Sequence, residues 1–183
     1  MKPVLPPIIL ILGLAFAFGP AHAADAPASV AELFVTPENL QLLRRADQVD
    51  VCILRHIPPA PRADGSIDRR VERYEETTFV PVGPAVARTL RELLLSGQTY
   101  DWKAGSGGRR PQFYLRLRFR HGADLLAIDF CFLCHVLNVT RDGAELAHAN
   151  FDRNADLFLR TFLQVFPDDG PLRQVAKEAG LEP

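Results

Sequence analysis

Several features that would point to a known chemistry are missing from this sequence. Its only methionine is Met1, and its 21 basic residues are balanced by 22 acidic ones, so no charge bias favours nucleic acid or an anionic membrane. It has no internal repeat, no serine–histidine–aspartate set and no carboxylate pair. Its one glycine-rich stretch, Gly105–Gly108, lacks the lysine of a phosphate-binding loop. These absences favour a role other than catalysis.

The N-terminal stretch has the organisation of a secretory signal peptide. One lysine precedes an apolar run from Ile8 to Phe18, and an Ala-x-Ala cleavage site ends at Ala23. The run is shorter than the roughly 20 residues that a membrane-spanning helix needs. We therefore predict that residues 1–23 are a leader and that residues 24–183 form one domain, periplasmic or secreted, with no stable membrane span.

Start and end signals predict four helices. Thr36 is a candidate N-cap before Pro37, and a second segment begins near Pro84 and stops before Gly97. Two further segments near the C-terminus have one apolar face each. The predicted helices cover residues 36–48, 84–97, 154–166 and 171–180.

Alternating apolar and polar residues predict a strand over 48–57, and a stretch rich in threonine, valine, tyrosine and phenylalanine predicts another over 71–83. Strict alternation over 112–120 predicts the first arm of a hairpin whose second arm is 125–133. If Leu117 pairs with Ile128, all pairs on one side of the hairpin are apolar, so the register is well specified. The stretches 58–70 and 103–111, rich in proline, glycine and arginine, are predicted to be exposed loops. This arrangement indicates an α+β fold: a small antiparallel sheet with a central hairpin, flanked by helices.

The stretch Cys131–His135 spells C-x-x-C-H, the attachment signal for c-type haem. Two objections weaken this interpretation. On a strand, the Cα atoms of Cys131 and Cys134 would lie about 10 Å apart, with the side chains on opposite faces, whereas one porphyrin needs both sulfurs together. Without a methionine in the mature chain, the second axial ligand would come from the other histidines, namely His56, His121 or His148. Covalent haem is therefore only an alternative.

Zinc and thiol chemistry are two further interpretations of the same residues. Cys52 could complete a Cys₃His zinc site, but sulfurs on opposite faces of a strand cannot share one tetrahedral ion. A reactive C-x-x-C normally opens a helix, whose N-terminus stabilises the thiolate. Here apolar residues surround it. No metal site is predicted, and a redox role for Cys131 and Cys134 stays beside haem as the alternative.

The favoured interpretation of the three cysteines is structural. In an oxidising compartment, Cys52 is expected to form a disulfide with either Cys131 or Cys134, and the remaining cysteine is expected to be a buried free thiol. The closed loop would contain roughly 80 residues and would stabilise the fold by about 4 kcal/mol. The sequence does not decide between the two pairings.

Three other features are candidate sites. Arg116, Arg118 and Arg120 form a basic stripe that is either an anion-binding or partner-binding surface or, as we favour, the solvated face of a hairpin with Asp129 opposite Arg116. The pair Asp168-Asp169 is either a cation site or a solvated turn, and the turn is favoured. A glycosylation sequon begins at Asn138, within a predicted strand.

From PQFYLRLRF through AIDFCFLCHVLNVTRDG to FDRNADLFLRTFLQVFPDD, the chain resembles an uncharacterised family of small secreted bacterial proteins. Members share a CF-x-C strand that ends near an RDG turn, and a helix that ends in FPDD. The resemblance implies that the residue after CF-x-C need not be histidine, so His135 would be incidental. It implies no activity and no ligand. Members tend to have a cysteine just before the first hairpin strand, where this sequence has none; whether Cys52 takes its place stays open.

The sequence thus predicts a secreted or periplasmic domain that binds a partner or has a structural role, with no cofactor and no nucleic-acid partner. The alternative is a c-type haem or thiol-redox protein that works through Cys131, Cys134 and His135.

Overall fold

An antiparallel sheet with helices against one face organises the chain, as the predicted α+β class requires. The computed structural model describes residues 28–59, 73–103, 111–178 and 180. The predicted leader, most of both predicted loops and Gly105–Gly108 lie outside the described residues.

Helix boundaries follow the capping signals in the sequence. Oγ1 of Thr36 accepts a hydrogen bond from the Asn39 amide at 3.3 Å, and Pro37 begins that helix. The helices are α1 (Val30–Leu33), α2 (Pro37–Arg45), α3 (Pro84–Leu95), α4 (Ala155–Leu163) and α5 (Gly170–Glu178). The short α1, capped by Ser29, was not predicted, whereas the other four confirm the predicted helices.

All neighbouring strands are antiparallel, in the order β2-β1-β4-β5-β6-β7, and β3 also pairs with β1. The strands are β1 (Gln48–Ile57), β2 (Arg73–Glu76), β3 (Val80–Pro81), β4 (Leu115–His121), β5 (Asp124–Cys131), β6 (Val136–Arg141) and β7 (Ala144–Asn150). The single strand predicted over 71–83 is split into β2 and β3. At the split, the Thr77 hydroxyl accepts a hydrogen bond from the Ile53 amide at 3.0 Å, in place of a backbone carbonyl.

The predicted register of the central hairpin is confirmed. Leu117 pairs with Ile128 and Arg116 with Asp129. Gly122, at the start of the two-residue connection between β4 and β5, has a φ of +58°, which glycine adopts without steric cost. The ladder begins at Leu115, so the more distant pair expected between Phe113 and Phe132 is not formed.

A second hairpin joins β6 to β7, of which the sequence indicated the strand around Asn138 and the turn but not β7. Asp142 and Gly143 both have positive φ, 52° and 78°, which is the type I′ geometry that an Asp-Gly pair favours between two strands. The strand after the RDG turn has the sequence AELAHAN. Its alanines are only weakly apolar, so the sequence shows no clear alternation of apolar and polar residues. The Asp-Gly dipeptide was the signal that could have revealed β7.

One apolar core fills the space between the helices and the sheet. In the described part of the chain, residues from each of the helices α1–α5 and from alternate positions of β1, β4, β5 and β6 belong to the same buried cluster. Phe130 is central: its ring centroid lies 5.1 Å from those of both Phe158 and Phe162. The other side of the sheet, called here the open face, carries Asp50 and Cys52 of β1 and their cross-strand neighbours Arg118 and Arg116 of β4. Within the described ranges, no helix is long and apolar enough to cross a bilayer.

Candidate functional site

The C-x-x-C-H residues form the turn between β5 and β6, called here the disulfide turn (Cys131–His135). The last cross-strand pair is Cys131 with Val136, so the chain reverses between them. The Cα atoms of Cys131 and Cys134 are 5.5 Å apart, inside the 7 Å limit of a β-turn, and their sulfurs are bonded. His135 follows with a φ of +52° and returns the chain to the sheet.

The expectation that Cys52 forms the disulfide is wrong, and so is the strand on which it depended. We expected residues 131–134 to stay extended, because no glycine or proline interrupts them. Histidine, however, is among the residues that most often adopt positive φ, and His135 ends the strand in that way. A β-turn then brings together two cysteines that a strand would have kept apart, and Cys52 is left as a free thiol.

Cys52 is an inert thiol in the second strand of the sheet. It lies in β1 on the open face, opposite Arg116, and is fully buried. Burial is the main cause that raises the pKa of Cys52 to about 12, so the thiol is protonated at neutral pH. A protonated thiol is neither a nucleophile nor a zinc ligand.

The sulfurs of Cys131 and Cys134, bonded to each other, would have to be reduced before either could bind haem or a metal. His135 already has a partner, because its Nδ1 contacts Asp152 and its ring lies edge-on to Phe151. Among the residues that the structure describes, no group of three or more histidine, cysteine, aspartate or glutamate side chains is placed to hold a metal ion. Haem attachment stays a prediction that this oxidised state does not favour.

The disulfide has a measurable consequence. Peptide mapping of non-reduced protein, alkylated after unfolding, is expected to find Cys131 joined to Cys134 and Cys52 alkylated. Because the ring spans only residues 131–134, the chain-entropy model gives it about 2 kcal/mol of the free energy of unfolding, against about 4 kcal/mol for the loop to Cys52. Urea unfolding of the oxidised and the reduced protein measures how much the free energy of unfolding falls when the bond is reduced. A bridge that includes Cys52 would contradict the assignment.

A groove of about 490 Å³ lies beside the disulfide turn. Its walls are residues 53–56 of β1, residues 112–114 before β4, Leu133 of the turn, and the start of α5. The Tyr114 hydroxyl donates a hydrogen bond to Asp169, whose carboxylate also accepts from the Leu172 amide at 2.8 Å. Asp169 therefore connects Tyr114 to the start of α5 and contributes to the lining of the groove. Burial and this hydrogen bond raise the pKa of Tyr114, which keeps its proton at neutral pH.

Leu133 is the most exposed large apolar side chain in the described part of the protein, at 72%. Its neighbour Phe132 is 4% exposed and packs on the core, so the turn sends alternate side chains to opposite sides. The turn is held at both ends: Cys131 is bonded to Cys134, and the Phe151 amide donates to the His135 carbonyl at 2.8 Å. The structure therefore holds a large apolar group in solvent, at the rim of the groove.

The basic stripe is largely engaged in ion pairs. Arg116 makes a two-fold contact with Asp129, at 2.6 and 2.7 Å, and also contacts Glu76. Nε of Arg118 lies 2.6 Å from Asp50, and its guanidinium carbon is 3.1 Å from the ring centroid of Phe79. The side chains of Arg116 and Arg118 are 27% and 19% exposed. They are therefore half-buried, whereas the sequence predicted a solvated face.

These contacts weaken the argument for an anion-binding surface. Three carboxylates, those of Asp50, Glu76 and Asp129, lie against the two guanidinium groups of Arg116 and Arg118 and offset their charge. A cavity of about 240 Å³ lies over this part of the open face, with Arg116 and Arg118 at its border. Anion binding by Arg116, Arg118 and Arg120 stays a prediction, and the geometry gives it no further support.

The register places a row of polar residues across the open face that the sequence did not reveal. Cross-strand pairing joins Cys52 to Arg116, Arg116 to Asp129, Asp129 to Asn138, and Asn138 to His148. Burial raises the pKa of Asp129, although Arg116 acts in the opposite direction. Oδ1 of Asn138 is buried without a hydrogen-bond partner among the described residues. Only the hairpin pair Arg116–Asp129 could be predicted, because the other pairs depend on β1, β6 and β7.

The remaining candidates have structural positions. The carboxylate of Asp169 accepts a capping hydrogen bond from the Leu172 amide at the start of α5. Asp169, one residue of the Asp168-Asp169 pair, therefore has a structural role as a helix cap rather than as a cation ligand. Asn138, the first residue of the sequon, is 7% exposed within β6, so its amide is not accessible in the folded protein.

Comparison of the chain with protein-family models, with curated proteins and with solved structures returned no match. The resemblance to a family with a CF-x-C strand therefore stays a prediction.

Proposed function

We propose that this protein is a secreted or periplasmic binding domain, and that the groove beside Leu133 receives an apolar side chain from a peptide segment of its partner. The observation that carries the proposal is the exposure of Leu133, at 72%, on a turn that is held at both ends. The disulfide and the predicted leader support location outside the cytoplasm, where such bonds persist.

The groove is lined by both apolar and charged residues, as a site for a peptide side chain and the adjoining backbone would be. Its apolar lining includes Ile53, Phe113 and Pro171, while Arg55 and Asp169 add groups that can hydrogen-bond the backbone of a bound peptide. Its volume of about 490 Å³ is larger than one side chain, so the groove has room for a residue and part of its neighbours. Because the turn is already fixed, binding would cost little ordering entropy on this side.

Catalysis has less support at the same place. The Tyr114 hydroxyl borders the groove, but it donates to Asp169 and its raised pKa keeps it protonated. The free thiol of Cys52 is fully buried beneath the open face. Binding therefore accounts for the exposed leucine and the shape of the groove better than a reaction does.

The proposal predicts that peptides selected from a phage-displayed random library will bind the purified protein through this groove. Leu133→Asp is expected to lower the affinity of the protein for the selected peptides by about tenfold or more, because it removes apolar contact area beside the groove. Binding is measured by fluorescence polarisation with labelled synthetic peptides.

Leu157→Asp is the matched control, since Leu157 is 44% exposed on α4 and does not line the groove. It should leave the peptide affinities unchanged. Peptides that bind wild type and Leu133→Asp equally well, or a selection that enriches nothing over an unloaded support, would refute the groove as the binding surface.

A further inference from the structure

The two cysteines of the disulfide turn differ in their exposure to solvent. Cys131, at the end of β5, is 1% exposed, whereas Cys134 is half-buried and follows the exposed Leu133. Thiol–disulfide exchange requires a thiolate to reach one sulfur of the bond, and access decides which sulfur is attacked. Cys134 is the more exposed of the two residues and therefore the better candidate for attack.

The turn is positioned by contacts that do not involve the disulfide. The Phe151 amide donates to the His135 carbonyl at 2.8 Å, and the His135 ring contacts Asp152. Phe132 stacks on Phe130 in the core, with ring centroids 6.0 Å apart. Opening the bond would therefore leave β5, β6 and the ends of the turn in place.

The reduced state also has a place for its new thiol. Sγ of Cys134 lies 3.8 Å from the carbonyl oxygen of Cys131, so a thiol at this position has a hydrogen-bond acceptor within the turn. Sγ of Cys131 would become a buried neutral thiol, which behaves as a small apolar group. A ring this small constrains the unfolded chain less than a long loop would, so the protein should stay folded when the bond is reduced.

We propose that the Cys131–Cys134 disulfide is an exchangeable redox couple that accepts two electrons from a dithiol partner at Cys134. The partner thiolate forms a bond with Sγ of Cys134 while the Cys131–Cys134 bond breaks, and Cys131 leaves with the electron pair and takes a proton. The second thiol of the partner then attacks the partner sulfur of the mixed disulfide and releases Cys134, which is protonated. The partner is oxidised to its disulfide, and Cys131 and Cys134 are reduced to thiols. This chemistry is independent of peptide binding in the groove.

The test uses the full mature chain with Cys52→Ala, so that only two sulfurs remain, and reduced glutathione as the probe. Oxidised protein is mixed with glutathione, quenched with acid at short times, and digested. Fragment-ion spectra of the peptide that holds both cysteines locate the adduct. We expect about ten times more glutathione on Cys134 than on Cys131, with a far-ultraviolet circular dichroism spectrum that does not change on reduction.

Two single-cysteine variants, also with Cys52→Ala, give an independent measurement. With oxidised glutathione, Cys131→Ala, which retains Cys134, should react about tenfold faster than Cys134→Ala, which retains Cys131. If either variant fails to fold, the adduct ratio in the chain that retains both cysteines decides alone. Adducts spread equally over the two sulfurs, or a disulfide that glutathione reduces only when urea has unfolded the protein, would overturn the proposal.

Discussion

Replacing Leu117 with aspartate is expected to lower the free energy of unfolding by about 4 kcal/mol or more. Leu117 lies at the centre of β4, between Val51 of β1 and Ile128 of β5, and is fully buried in the core. The substitution removes a packed side chain and places a carboxylate where no partner faces it. Urea unfolding followed by circular dichroism measures the loss.

The matched control is the same change at Leu133. Leu133→Asp exchanges the same side chains at a position that is 72% exposed, so the free energy of unfolding should stay within about 0.5 kcal/mol of wild type. Equal losses for the two variants would mean that the apolar side of β4 does not face the core, and that the β4–β5 register is wrong.

Arg116→Met is expected to have the second large effect, a loss of about 3–5 kcal/mol at pH 7. The change leaves the carboxylate of Asp129, which is 4% exposed, without the guanidinium that contacts both its oxygens at 2.6 and 2.7 Å. An uncompensated buried charge is costlier than the loss of a surface ion pair, for which the expected effect is below about 1 kcal/mol.

The loss caused by Arg116→Met should depend on pH in a defined direction. Burial already raises the pKa of Asp129, and removing Arg116 removes the group that opposes this, so the pKa rises further. A carboxyl whose pKa is raised on folding gains its proton preferentially in the folded state. The contribution of this carboxyl to stability is therefore fully present below its pKa in the unfolded protein, and it is lost as the pH rises through its pKa in the folded protein. The variant should therefore recover as pH falls from 7 towards about 4.

Two further variants separate the buried charge from other causes. Arg116→Met combined with Asp129→Leu should recover most of the stability, because replacing both members of a buried pair by apolar groups is often neutral. Arg120→Met, on the same strand opposite the uncharged Gln48 and Leu125, should show little loss and no such pH dependence. A loss in Arg116→Met that is the same at both pH values would contradict the role given to Asp129.

Local signals in the sequence determined most of the helices and the central hairpin. Thr36 and Pro37 mark the start of α2 by chemistry that acts within one turn, so no distant residue is needed to predict it. The strict alternation along β4 fixes its register against β5, since a shift by one residue would bring arginines into the core. The α+β class follows from these elements alone.

The tertiary structure decided the cysteine pairing and the candidate sites. Whether residues 131–134 continue a strand or form a turn depends on His135, whose positive φ is held by contacts with Phe151 and Asp152, from beyond β7. The groove at Leu133 exists only because β1, the segment before β4 and the start of α5 meet there. The polar row on the open face requires the β5–β6 and β6–β7 pairings. Such contacts join residues far apart in the chain, and alternation within one segment carries no information about them.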